Sequence, residues 1–197
     1  MINSKFGNYF LTFIFRSKLE ATPDLVGAVE KMCVDDGKFA DWTIISEEGE
    51  RFPCHRNILA AKSSVMKAML TTEMKEKEEK ETKVQYSNQV VGAFVNYFYT
   101  GSVPQEVLES HLSSFLALSE LYNLLPMKAQ AEDLAIRSLK LENVVEMFSL
   151  AKIYKAEILL EATEFFIVEN KKTLGQQDLS QVPLSVMTEL FILLSQS

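Results

Sequence analysis

The chain has 197 residues, 47% hydrophobic and 24% charged, enough for one domain or one and a half around a real core. Its net charge of −7 and pI near 5.0, with no cluster of Lys and Arg, argue against nucleic acid, because neutralising phosphates needs a basic face. Two cysteines, Cys33 and Cys54, cannot make a disulfide framework. Together with eight methionines they fit two buried free thiols in a reducing interior, the nucleus and/or the cytoplasm.

Phe6 to Phe15 is apolar but interrupted by Gly7, Asn8 and Thr12, and is followed by Arg16 and Lys18. It is too short for a bilayer, which needs about 20 residues. No small-residue cleavage site follows it, so no membrane role is expected. Its aromatic content predicts a strand, and because a lone strand cannot bury itself, it reads as the last strand of an upstream sheet. Thr22-Pro23-Asp24 then opens a helix, with Thr22 or Asp24 as cap and Pro23 in the first turn. Leu25, Ala28, Val29, Met32 and Cys33 share one face of it, and Asp35-Asp36-Gly37 ends it.

Asp41-Trp42-Thr43-Ile44-Ile45 and Arg51-Phe52-Pro53-Cys54, either side of Glu47-Glu48-Gly49-Glu50, predict a β-hairpin with Gly49 in the turn. Ile58, Ala61, Val65 and Met69 follow at helical spacing, predicting a helical hairpin that packs back on the strands. Thr71 to Glu81 is a charged loop carrying one large apolar side chain, Met74. A charge run is usually a solvated connector, so this methionine needs a pocket in its own domain or in a partner. A strand is predicted at Lys83-Val84-Gln85-Tyr86, then a buried helix from Val90 to Tyr99 stopped by Gly101.

Leu108, Leu112, Phe115, Leu116 and Leu118 to Leu125 predict one long helix with Tyr122 and Asn123 near its end. Pro126 starts the next, carrying Met127, Ala131, Leu134 and Leu139. A helix pair follows from Asn143 to Lys172. One member carries Val144, Met147, Phe148 and Ala151; the other carries Ile158, Leu159, Ala162, Phe165 and Phe166, with Lys155-Ala156 between them. Gly175 to Val182 is a linker, and Leu184 to Leu194 a last apolar helix.

Little of this suggests chemistry. Neighbours on an extended chain point to opposite faces, so Cys54 and His55 cannot pair directly as nucleophile and base. Cys33, Cys54, His55 and His111 reach a zinc count but match no metal spacing. There is no P-loop and no Gly-x-Ser-x-Gly, so no catalytic residue, metal or cofactor is expected.

Asp41 opening the first strand, His55-x-x-x-Leu59-Ala60-Ala61-x-Ser63, and Tyr99-Thr100-Gly101 about forty residues later together resemble the BTB (POZ) domain family. The resemblance runs from Asp41 to about Thr173. The run from Ala60 to Glu76, ending Met74-Lys75-Glu76, is most similar to the speckle-type POZ protein group. It departs at Met66 and Leu70, where relatives usually carry Phe.

The resemblance implies an α+β BTB/POZ fold, a small β-sheet clasped by α-helices, followed by an all-helical three-box or partial BACK extension. It divides the chain into an N-terminal remnant (1–22), a BTB/POZ domain with an N-terminal dimerisation helix (23–125), three-box or partial BACK helices (126–173), and a linker with a C-terminal helix (174–197). The remnant corresponds to the last strand of a missing or truncated MATH substrate-binding domain.

The same resemblance implies a homodimer in which Leu25, Val29, Met32 and Cys33 cross the two-fold axis to meet Ala60, Ala61, Val65 and Met69. The alternative is that this helix covers its own domain. Met74-Lys75-Glu76 matches the φ-x-E motif by which BTB adaptors engage the cullin-3 N-terminal domain, with Met74 inserting, Glu76 ordering the loop, and Tyr122 and Asn123 beside them. Asp41, His55, Arg56 and Gly101 take structural roles, with Asp41 and Arg56 as a partly buried charge pair. The expected function is a homodimeric, non-catalytic adaptor that recruits an unknown protein substrate for ubiquitination. The rivals are a BTB scaffold in transcriptional or cytoskeletal regulation without cullin binding and, more remotely, an enzyme using Cys54 or His55.

Overall fold

The computed structural model describes residues 39–71, 80–174, 188, 191–193 and 195. The β-branched run after Asp41 forms β1 (Trp42–Ile45), antiparallel to β2 (Arg51–Cys54), with Trp42 opposite Cys54 and Ile45 opposite Arg51. Gly49 turns the hairpin at φ 88°, a conformation without steric cost only for glycine. Ser46 N donates to Glu50 O at 3.0 Å across that turn. The predicted hairpin is present.

β3 (Glu81–Lys83) runs parallel to β1 on its other side, giving the order β2-β1-β3. The ladder begins at Glu81 rather than at the predicted Lys83, with Thr82 and Val84 turned inward between the exposed Lys83 and Gln85. The alternation was there, but its first inward residue is a threonine inside a charge run.

α1 (Arg56–Lys62) and α2 (Ser64–Thr71) form the expected helical hairpin, but its inward face is different. Leu59, Met66 and Leu70 are buried, whereas Ile58, Val65 and Met69 are half-buried and Ala61 is exposed. Ser63, extended at φ −127° and ψ 119°, resets the helical phase between the two, so a single stripe cannot run through both. Met66 and Leu70, the two departures from the resemblance, are both buried in the core.

α3 (Asn88–Thr100) packs against β1, β2 and α1. It buries Val90, Val91, Phe94, Val95, Tyr97 and Phe98, as predicted. Gly101, at φ 80°, ends it by donating its N–H to Tyr97 O at 2.8 Å, the left-handed cap for which glycine is suited.

The long helix expected next is two, α4 (Gln105–Ser110) and α5 (Leu112–Leu121), broken at His111 with φ −132° and ψ 35°. No Gly or Pro announces that break. α6 (Leu125–Arg137) has Pro126 in its first turn as expected, with Leu139 just past its end.

α7 (Val144–Ile153) and α8 (Glu157–Glu169) form the predicted pair, followed by α9 (Lys171–Leu174). Val144, Phe148, Ile167 and Leu174 make a second core, rimmed by Leu139, Leu141, Val145, Leu160, Phe166 and Leu193. Of the apolar residues on α8, Leu159, Ala162 and Ile167 are buried with Thr163, whereas Ile158 and Phe165 are 45% and 49% exposed. α8 carries more apolar side chains than one face holds, so periodicity alone could not fix its rotation.

Among the described residues no helix is long and apolar enough to cross a membrane. The strand at Phe6–Phe15, the helix opened by Thr22-Pro23-Asp24, Met74 and Glu76, and most of Leu184–Leu194 lie outside the described residues.

Candidate partner-binding surfaces

Three of the four positions assigned structural roles, Asp41, His55 and Arg56, build the strand-to-helix corner with their neighbours, and the fourth, Gly101, caps α3. His55 is buried; its backbone N–H donates to the Tyr99 hydroxyl at 3.1 Å, and its Nδ1 lies 2.7 Å from the same oxygen. One phenol from α3 thus satisfies two polar groups of the corner, as buried polar groups require.

Asp41 does not form the expected ion pair. Its Oδ1 accepts the backbone N–H of Arg56 at 2.9 Å, capping α1. The Arg56 guanidinium instead lies over the Trp42 ring, 5.6 Å from its centroid, and donates to the Leu70 carbonyl. A carboxylate one residue before a strand is well placed to cap the helix that returns beside it, because its acceptor oxygens match the unpaired N–H groups of a first turn.

Cys54 closes β2 as a fully buried thiol, its Sγ 3.6 Å from Trp42 O. Burial, with the charge of Asp41 nearby, pushes this thiol up to about 12. It therefore holds almost no thiolate at neutral pH and is a poor nucleophile. Among the described residues no three His, Cys, Asp or Glu side chains gather to hold a metal; Cys33 is outside them.

Two surfaces remain from the sequence-predicted sites. On the first, Ala60, Val65 and Met69 are half-buried and Ala61 is exposed, so these side chains stay largely outside the core. Leu25, Val29, Met32 and Cys33, expected to meet them, lie outside the described residues.

The second surface is the turn after α5. Ser63 Oγ donates to Tyr122 O at 2.6 Å and accepts Met66 N–H at 3.0 Å. Asn123 takes a left-handed conformation at φ 51°, and its Nδ2 donates to Ser64 Oγ at 3.1 Å. The turn is thereby fastened to the α1–α2 junction. The Tyr122 ring is only 4% exposed and stacks at a tilt on Phe94, 5.2 Å between centroids. Burial, with Tyr86 nearby, pushes its phenol up to about 12. Tyr122 thus supports the turn from beneath, and Asn123 is its outward polar group.

Leu121 and Leu125 flank the turn at 58% and 68% exposure. The sequence reading had counted both within one helical stripe. The signal that marks them is that Leu118 to Leu125 holds more apolar residues than one face buries.

Sequence reasoning also missed the polar junction between the BTB-like core and the helix pair. Glu120 sits between Lys128, at 2.7 Å, and Lys155, at 3.0 Å. Hydrogen bonds from those two lysines hold its carboxyl below the ordinary carboxylate range. Buried Glu132 on α6 accepts from the N–H groups of Ile158 and Leu159 at 3.1 and 3.4 Å, capping α8 from another helix. Burial pushes this carboxyl up, against those hydrogen bonds.

A family model described as the BTB/POZ domain matches residues 31–139. The chain belongs to the BTB/POZ domain family. Mouse Kelch-like protein 23 is 31% identical over 183 residues, covering 92% of this chain and 32% of its own length. Mouse Kelch repeat and BTB domain-containing protein 3 is 32% identical over 130 residues, covering 66% of this chain and 21% of its own length. The chain therefore spans less than a third of these curated relatives. The BTB domain of zebrafish PATZ1 superposes with a TM-score of 0.49 at 18% identity, over 58% of this chain and 91% of that one. These BTB relatives are Kelch-like and Kelch-repeat proteins, so the speckle-type grouping drawn from Ala60 to Glu76 finds no support in them.

Proposed function

We propose that this chain is a homodimeric, non-catalytic BTB adaptor that brings a protein substrate to the cullin-3 scaffold, in the nucleus or the cytoplasm. One observation carries the assignment: Met74-Lys75-Glu76 falls in the connection between α2 and β3 of a BTB domain, the place of the φ-x-E motif in the adaptors it resembles. The Kelch-like relatives support it, and the role does not depend on the speckle-type grouping. In this assignment Met74 inserts into the cullin, Glu76 orders its loop, Asn123 adds a polar contact and Tyr122 holds the turn. Leu25, Val29, Met32 and Cys33 meet Ala60, Ala61, Val65 and Met69 across the dimer axis, and α7 with α8 serves as the three-box or partial BACK segment.

Mass in solution, with and without the purified cullin-3 N-terminal domain, tests the assignment. The expected result is a dimer that takes up one cullin fragment per chain. Truncating Met74 to Ala should weaken that complex by about 1–3 kcal/mol, as for an anchor side chain, with the dimer intact. A monomer, or affinity unchanged by Met74→Ala, overturns the corresponding half.

A further inference from the structure

The turn after α5 and the turn after α7 follow one backbone course. Tyr122 and Tyr154 close their helices at φ −99° in both, with ψ 9° and 11°. Asn123 and Lys155 are left-handed at φ 51° and 50°. Leu124 N donates to Ser119 O, and Ala156 N to Ala151 O, each at 2.8 Å. Among the described residues no serine side chain bonds to the second turn, where Lys155 reaches Glu120 instead. The first turn therefore does not need a serine to keep its shape. What sets it apart is its attachment to the break between α1 and α2.

That attachment uses two consecutive hydroxyls. Ser63, extended and 1% exposed, donates its Oγ to Tyr122 O at 2.6 Å and accepts Met66 N–H at 3.0 Å. Ser64 is exposed, and its Oγ accepts Asn123 Nδ2 at 3.1 Å. One serine thus holds the backbone just before the left-handed residue, and the next holds that residue's side chain. Asparagine visits the left-handed region readily, so the serines fix the place of the turn rather than its conformation.

We infer that Ser63 and Ser64 are positioning residues: their hydroxyls fix the Asn123 carboxamide and its turn against the α1–α2 junction, and act on a partner through Asn123. Where that partner is the cullin-3 N-terminal domain, this rests on the adaptor assignment above. The physical gain is pre-organisation. A carboxamide already held in place loses less rotamer freedom on binding, so the same contact gives tighter association.

The test begins with Ser64→Ala, an exposed change that leaves the Ser63 bonds in place. Calorimetric titration of the intact chain with the cullin-3 N-terminal domain should show about a threefold loss of affinity at unchanged stoichiometry. Ser63→Ala, which frees the Tyr122 carbonyl and the Met66 N–H, should lose about tenfold. Should Ser63→Ala not fold, Ser64→Ala decides alone. A merely structural role would lower the binding-competent fraction, and so the stoichiometry, rather than the affinity. Because Ser64 acts through the Asn123 side chain, Ser64→Ala should change affinity less than about 1.5-fold in an Asn123→Gly background, where glycine accepts the left-handed backbone. Unchanged affinity in either serine variant, or an undiminished loss beside Asn123→Gly, overturns the inference and leaves the adaptor assignment standing. If the unsubstituted chain does not bind the cullin fragment, that assignment falls and nuclear spin relaxation of the Asn123 side-chain amide decides. A lower order parameter in Ser64→Ala than in the parent supports the positioning role, and equal values overturn it.

Discussion

The core around α3 and the core between α7 and α8 bury similar side chains but are closed in different ways. In the first, Ile44, Leu59, Met66, Phe94 and Phe98, drawn from β1, α1, α2 and α3, are all fully buried. The polar groups at its edge, His55 and Tyr99, satisfy each other. Among the described residues the second core gathers Val144, Phe148, Ile167 and Leu174 inside a rim of half-buried ones, and α7 and α8 bury Ala151, Leu159 and Ala162 as well. Carboxylates from outside the pair also reach it: Glu132 from α6 caps α8, and Glu120 from α5 bridges to Lys155. The first region also caps a helix with a carboxylate from outside it, Asp41 on α1. The difference lies in where the capping carboxylate comes from: beside β1 for α1, and from another helix for α8.

The largest expected effects compare the two directly. Phe94→Ala and Phe148→Ala each remove a fully buried ring and should each cost about 3–5 kcal/mol. Phe94→Ala should lower the urea midpoint of the whole chain. Phe148→Ala should instead open α7 and α8 to hydrogen exchange while amides in β1 and α3 stay protected, because the helix pair can open without the sheet. Equal loss of protection in both regions would mean that the two cores fold as one cooperative unit.

Smaller effects come from the polar closures. Tyr99→Phe leaves two His55 groups without their shared partner and should cost about 1–3 kcal/mol by urea denaturation. Glu132→Ala uncaps the N–H groups of Ile158 and Leu159 and should cost about 1 kcal/mol, seen first as faster exchange at the start of α8. Glu132→Gln, whose amide oxygen still accepts those bonds, should avoid most of that loss. A Gln variant as unstable as the Ala variant would show that the charge, and not the acceptor, holds α8.

The same contrast explains what the sequence revealed. The hairpin at Gly49, the cap at Gly101 and the buried length of α3 were legible because each is decided within a few residues, by a left-handed turn or by an apolar period. The BTB fold followed from separated motifs anchored on Asp41, His55 and Tyr99. The breaks at Ser63 and His111 were not legible, since neither residue differs locally from ones that helices accept. At the candidate site, Ala61 and Asn123 are exposed, Ala60 is half-buried and Tyr122 is core. Arg56 reaching Leu70 and Glu132 reaching Ile158 are side-chain-to-backbone bonds across 14 and 26 positions. Such bonds leave no period in the chain, so only the folded arrangement shows them.

The subtlest prediction is a pair of opposite pH signatures from the two carboxylates at the junction. Glu132 is pushed up from 4.5 in the folded chain, so between that value and its raised one the folded state binds more proton than the unfolded state. Its contribution to stability is therefore largest in acid and falls as pH rises through that window. Glu120 is held below 4.5; its contribution is present above the ordinary value and is lost as pH falls toward the folded one. Thermal melts of the unsubstituted chain beside Glu132→Gln should diverge upward from pH 4.5, with the variant gaining on the parent toward neutrality. Melts beside Glu120→Gln should differ most at neutral pH and converge in acid, by on the order of 0.5 kcal/mol at most, since solvent screens so exposed a bridge. Parallel curves for Glu132→Gln would mean that its two N–H donors offset its burial completely, and α8 would then be capped by charge at no cost near neutrality.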